Sequence, residues 1–93
     1  MQLNSIDATL TERGNRYGTF KNHAEISQSL KSCIKSWMGD KWNEIADDQR
    51  ESIEMICHKL ARIINGDPDY ADSWVDIAGY AKLISDRLEG NAR

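Results

Sequence analysis

The stretch DDQRESIEMICHKLARIIN, Asp47 to Asn65, decides the fold. Its apolar residues Ile53, Ile56, Cys57, Leu60, Ile63 and Ile64 recur at intervals of three and four, the spacing of one helix face and not of a strand. Asp47 and Asp48 supply a cap and favourable negative charge at its start, and Gly66 stands where it should stop. The segment therefore predicts one long amphipathic helix.

The same pattern continues on both sides. Downstream, the loop GDPDY from Gly66 to Tyr70 combines a glycine stop with Pro68. It leads into a helix from about Ala71, whose core positions would be Trp74, Ile77, Ala78, Ala81, Ile84 and Leu88, closed by Gly90. Gly79 inside that helix costs about 1 kcal/mol against alanine and suggests close approach by another helix or by Tyr17. Upstream, Asp40 to Ala46 reads as a connection holding Trp42 and Ile45. Before it, Phe20, His23 or Ala24, Ile26, Leu30, Cys33, Ile34 and Trp37 mark a helix that ends at Gly39. The segment ERGNRYGTFKNH, Glu12 to His23, reads as an ordered turn. A first short helix, capped by Asn4 or Ser5, would run to about Arg13 with Ile6 and Leu10 inward and Gly14 as its stop.

A single proline and no alternating apolar run leave nothing for a sheet. The fold class is all-α: one domain spanning residues 1–93, a small bundle of about four helices. A chain of 93 residues with three tryptophans builds only a thin core, so dimerisation is expected to complete it.

Composition narrows the function. Hydrophobic residues make up 40% and charged ones 29%, a mixture that folds. A formal charge of −3 argues against a duplex-binding module, which carries a basic face. Lys31, Lys35 and Lys41 read as an ordinary solvated face. Cys33 and Cys57 form no CxxC pair and read as small core residues. No segment has the length and hydropathy of a membrane span or the order of a signal peptide, so the expected location is the cytoplasm.

Three polar groupings are candidates for chemistry. Glu51, Glu54 and His58 lie three and four apart on one helix, and Asp72 and Asp76 four apart on the next. Two antiparallel helices could gather the four carboxylates around Mg²⁺, a hard cation that takes oxygen ligands and engages nucleoside triphosphates. A rotation of about 100° per residue also puts Glu51, His58 and Asp72 opposite the apolar stripes, facing water unless a second subunit covers them. Lys59 and Arg62 could contact phosphate, or pair with Asp72 and Asp76 to orient the helices. Arg13, Arg16 and Tyr17, with Lys21, lie around Gly14 and Gly18 and could form an anion-binding or partner-binding turn. Histidines 23 and 58 are too few for a histidine metal site.

Two resemblances add to this reading. ERGNRYGTFKNH, HKLARIINGDPDYADSW and DIAGYAKLI together resemble a family of short phage and prophage proteins of unknown function. That family shares an arginine and YG turn, then a K-x-x-R and a DS-x-x-D-x-x-GY arrangement. More distantly, Glu51 and Glu54 as ExxE, with Asp76 as the final aspartate, are similar to MazG-type all-α nucleoside triphosphate pyrophosphohydrolases. There Ser73 takes the place of a glutamate that Asp72 would replace one residue away. The resemblances imply Mg²⁺ at Glu51, Glu54, Asp72 and Asp76 and a nucleotide substrate, while the thin core separately points to a homo-oligomer. The competing class is a non-catalytic interaction module that binds a host or phage protein through Tyr17, Trp42 and neighbouring apolar groups.

Overall fold

The computed structural model describes residues 2–93, with side chains from Ser5 onward, and is all-helical. In chain order it comprises α1 (Gln2–Tyr17), α2 (Phe20–Met38), α3 (Lys41–Glu44), α4 (Asp47–Asn65) and α5 (Ala71–Leu88). Four of these are the expected helices. The fifth, α3, is a single turn within the connection that holds Trp42.

Helix α1 is longer than expected at both ends. It begins ahead of the predicted cap and continues through Gly14 to Tyr17, because one helical glycine costs only about 1 kcal/mol. Gly18 breaks it instead, with φ of 78°. The Gly18 amide donates back to the Gly14 carbonyl at 2.9 Å, a left-handed closure that glycine adopts without Cβ strain. The Thr19 hydroxyl then accepts from the Asn22 amide and caps α2.

Helix α4 is capped differently from the sequence reading. Ala46 is the N-cap residue, and the Gln49 side chain accepts its amide at 2.9 Å. Asp47 pairs with Arg50. Arg50 also donates to the carbonyls of Trp42 at 2.9 Å and Ile45 at 2.6 Å, fastening the α3 connection to α4. Asp48 instead receives a two-pronged bond from Arg87, with both contacts at 2.7 Å.

The tertiary arrangement is an open layer with α4 in the middle. On one side, His58 meets His23 and Glu54 faces Lys35, so α2 runs antiparallel to α4. On the other side, Asp48 meets Arg87, Ser52 donates to the Tyr80 carbonyl at 3.3 Å, and Lys59 meets Asp76. These contacts make α5 antiparallel to α4 as well. At about 100° per residue, these contact residues set the two edges of α4 about 120° apart around its axis, with a wide arc left between them on one side.

The fully buried residues are mostly small. Among the described residues they are His23 and Ser27 on α2, Ser52, Cys57 and Ala61 on α4, and Ser73 and Asp86 on α5. The larger apolar groups expected in the core are less covered. Trp37 is 87% exposed, Phe20 78% and Ile64 60%, while Trp74, Leu88, Ile6 and Leu10 are more than half exposed. Cys33, Ala78 and Ala81 are exposed as well. Periodicity located the apolar arc, but close approach on small side chains left much of that arc outside the helix contacts.

Glycines pin the chain reversals together. The Asn65 amide group donates to the carbonyls of Tyr17 and Thr19 at 2.8 and 3.0 Å, and the Asp67 amide donates to Arg16 at 2.7 Å. A Cβ on Gly66 would lie 2.3 Å from the Arg16 carbonyl oxygen and from Tyr17 Cα. Gly79, in contrast, has nothing within 4 Å of where its Cβ would be, so the close approach expected there does not occur.

Opposite outcomes are expected at these two glycines. Gly66→Ala should lower unfolding free energy by about 1–3 kcal/mol through backbone overlap, whereas Gly79→Ala should raise it by about 0.5–1 kcal/mol. Urea unfolding midpoints of the two variants check both signs.

Candidate functional site

The four acids expected at Mg²⁺ take separate roles. Glu51 is exposed, and Glu54 lies 3.7 Å from Lys35 of α2. Asp72 accepts the Tyr70 hydroxyl at 2.8 Å, and Asp76 pairs with Lys59 at 3.0 Å. Glu54 faces the α2 edge of α4, whereas Asp76 meets the α5 edge. Among the described residues, no group of three or more histidine, cysteine, aspartate or glutamate side chains is placed to hold a metal ion. The four acids of one chain therefore do not fit a Mg²⁺ ion as a set.

The expected cations also separate. Lys59 pairs with Asp76, as the orienting reading foresaw. Arg62 instead lays its guanidinium over the Tyr17 ring, 4.3 Å from the centroid. Arg16 pairs with Glu12 at 2.9 Å and stacks on Tyr70 at 4.1 Å. Arg13, about 60° away around α1, lines a cleft with Tyr17 and Arg62. Trp42 is half-buried, with the Lys35 ammonium 5.1 Å from its ring.

That cleft, between α1 and the α2–α4 pair, has a volume of about 450 Å³. It contains a feature that sequence spacing had dismissed: His23 and His58, 35 positions apart, meet with Nε2 and Nδ1 at 3.3 Å. Their rings sit edge to face at 4.5 Å, and His23 is only 5% exposed. Phe20 lies over the His23 ring at a centroid distance of 5.9 Å. In a pair of neutral imidazoles, one nitrogen donates and the other accepts, leaving one further nitrogen on each ring. The leftover nitrogen of His23, Nδ1, is buried without a partner among the described residues.

Burial disfavours the charged form of both rings. Desolvation pushes His58 down to about 4, with the positive charge of protonated His23, Arg62, Lys59 and Lys31 acting in the same direction. His23 is lowered by burial first, then by Arg62, Lys31 and Lys59. The sequence offered half a signal of the pair: His23 falls within the apolar stripe of α2, whereas His58 lies opposite the stripe of α4.

Comparison with known proteins adds the family. The model of a family described as Domain of unknown function (DUF6378) matches residues 3–88. No curated protein and no solved structure matches the chain.

The histidine pair predicts a pH dependence. A histidine whose folded pKa lies below its unfolded value of 6.5 binds protons more readily when unfolded. Its stabilising contribution is therefore intact above about pH 6.5 and is lost as pH falls toward about 4. The urea midpoint should decline through that window, and His58→Gln should flatten the decline. A profile that the substitution leaves unchanged would assign the acid sensitivity elsewhere.

Proposed function

The chain belongs to the DUF6378 family, and we propose that it is a protein–protein interaction module that pairs with a second copy of itself through the apolar arc of α4. The observation that carries this reading is the placement of large apolar groups between the two contact edges of α4. Ile53, Ile56, Leu60 and Ile64 share that arc, and none of the four is fully buried. With both neighbours antiparallel to α4, helical spacing puts the flanks Ile26, Leu30, Cys33 and Trp37 of α2 on the same side of the layer. It puts Trp74, Ile77, Ala81 and Leu88 of α5 there too. The opposite side is more polar, with Glu51 sharing a groove with Leu83, Arg87 and Arg93.

Area supports a partner of this size. The chain exposes 6614 Å², whereas a compact monomer of its mass exposes about 5,500 Å². The surplus, on the order of 1,000 Å², is comparable to the roughly 800 Å² that each partner buries in a standard interface. The radius of gyration is 15.5 Å, against about 12 Å for a compact domain of this length. A second copy supplies a matching apolar layer, and a two-fold pairing closes without leaving a free face.

A second reading is a MazG-like, Mg²⁺-dependent nucleoside triphosphate pyrophosphohydrolase of phage or prophage origin. The Lys59–Asp76 pair sets a phosphate-class cation beside one expected ligand on facing helices, and it has to open for Asp76 to hold a metal. The reading requires that Glu51, Glu54, Asp72 and Asp76 be completed from another copy, with Arg62 joining Lys59 at phosphate. Pyrophosphate release from NTPs and dNTPs with Mg²⁺, lost in Glu54→Gln, is its expected outcome. No turnover, or equal turnover by the variant, removes it.

For self-association, sedimentation equilibrium should give twice the 10.6 kDa chain mass. Trp37→Lys and Ile64→Lys, both at exposed positions of the layer, should shift the protein to monomer while helicity is retained. Val75→Lys, exposed on the outer side of α5, should leave the dimer intact. A concentration-independent monomer for the unsubstituted chain would contradict the reading.

A further inference from the structure

We infer that the cleft between α1 and the α2–α4 pair is a binding site for a small anion attached to a planar apolar ring. The inference rests on the composition of its wall. Fifteen acidic residues occur in the chain and give it a net charge of −3, yet none of the residues lining this cleft is acidic. Two of the lining residues are arginines, Arg13 and Arg62, and neither forms an ion pair with another described residue. A guanidinium offers a planar set of donors that matches phosphate or carboxylate oxygens two at a time. A cleft whose charged lining groups are all positive, in an acidic protein, selects for an anion.

The rest of the wall selects for a ring. Leu10, Tyr17 and Phe20 line the cleft, and Phe20 is largely exposed although its ring lies against His23. A planar ligand stacking there would cover apolar surface that one chain leaves in water. The histidine pair suits this division. With its charged form disfavoured by burial, it adds little competing charge at the apolar end. The volume of about 450 Å³ is in the range that holds a small organic ligand. The apolar arc of α4 lies on the other side of the layer, so the site stands or falls independently of self-association.

The test is an NMR titration of the intact chain, following the His23 and His58 imidazole signals and the Phe20 ring. The probes are phenyl phosphate, benzoate and inorganic phosphate at constant ionic strength. Phenyl phosphate or benzoate should produce saturable shifts at all three residues, whichever binds tighter naming the anionic group. Inorganic phosphate should bind at least tenfold more weakly than phenyl phosphate. Arg13→Ala should weaken binding at least tenfold. Phe20→Ala should reduce phenyl phosphate to the affinity of inorganic phosphate. Arg62→Lys, which retains charge but not the planar fork, should weaken binding without loss of the folded spectrum. The absence of saturable shifts with every probe would overturn the site. Binding unchanged in Arg13→Ala would do the same, since this exposed arginine has no described structural partner whose loss could mask the effect.

Discussion

The structure depends on one constraint: α4 must serve two antiparallel neighbours on two separate edges. Lys35 and His23 meet one edge through Glu54 and His58, while Arg87, Tyr80 and Asp76 meet the other through Asp48, Ser52 and Lys59. A helix flanked in this way has two further arcs that its neighbours cannot close. In this sequence the large aliphatic residues occupy one of those arcs, and the contact edges include small and polar groups. Burial of a large aliphatic side chain stabilises by about 1.5–3 kcal/mol, so a layer that leaves several of them wet has much to gain from a cover.

The end of the layer at α1 is organised by a different principle. There the backbone carries the contacts, through Asn65 bonded to two carbonyls and Gly66 lying flush against Arg16 and Tyr17. This junction orients α1 so that Arg13 and Tyr17 open onto the histidine pair while Arg16 points toward Tyr70. The turn that looked like one cluster in sequence is thus divided by the helix that carries it. Residues three apart can face different neighbours when the helix lies in a corner.

Much of the secondary structure was legible because its signals are local. Gly39 and Gly66 end their helices as expected, and the periodicity of α4 and α5 is unambiguous. Gly14 misled because a helical glycine is only mildly unfavourable, and nothing local distinguishes it from Gly18, where φ is positive. Periodicity showed that Ile53, Ile56, Leu60 and Ile64 share a face, but it carries no information about what covers that face. The candidate cleft was less legible still. Arg13, Tyr17 and Arg62 were each singled out, but their meeting depends on the α1–α4 junction, and the His23–His58 contact spans 35 positions. Equally, the four acids satisfy a sequence spacing that the rotation of α4 relative to α2 and α5 does not gather into one chain.

The central claim is that the apolar arc of α4 is covered by the same arc of another copy. Its most direct test is an isotope-filtered NOE experiment on a mixture of ¹³C-methyl-labelled and unlabelled chains. Cross-chain contacts are predicted from the methyl groups of Ile53, Ile56, Leu60 and Ile64 to Trp37 or Trp74 of the unlabelled copy. Their absence at concentrations where the chain is dimeric, or cross-chain contacts confined to the Glu51 and Leu83 side of the layer, would contradict it.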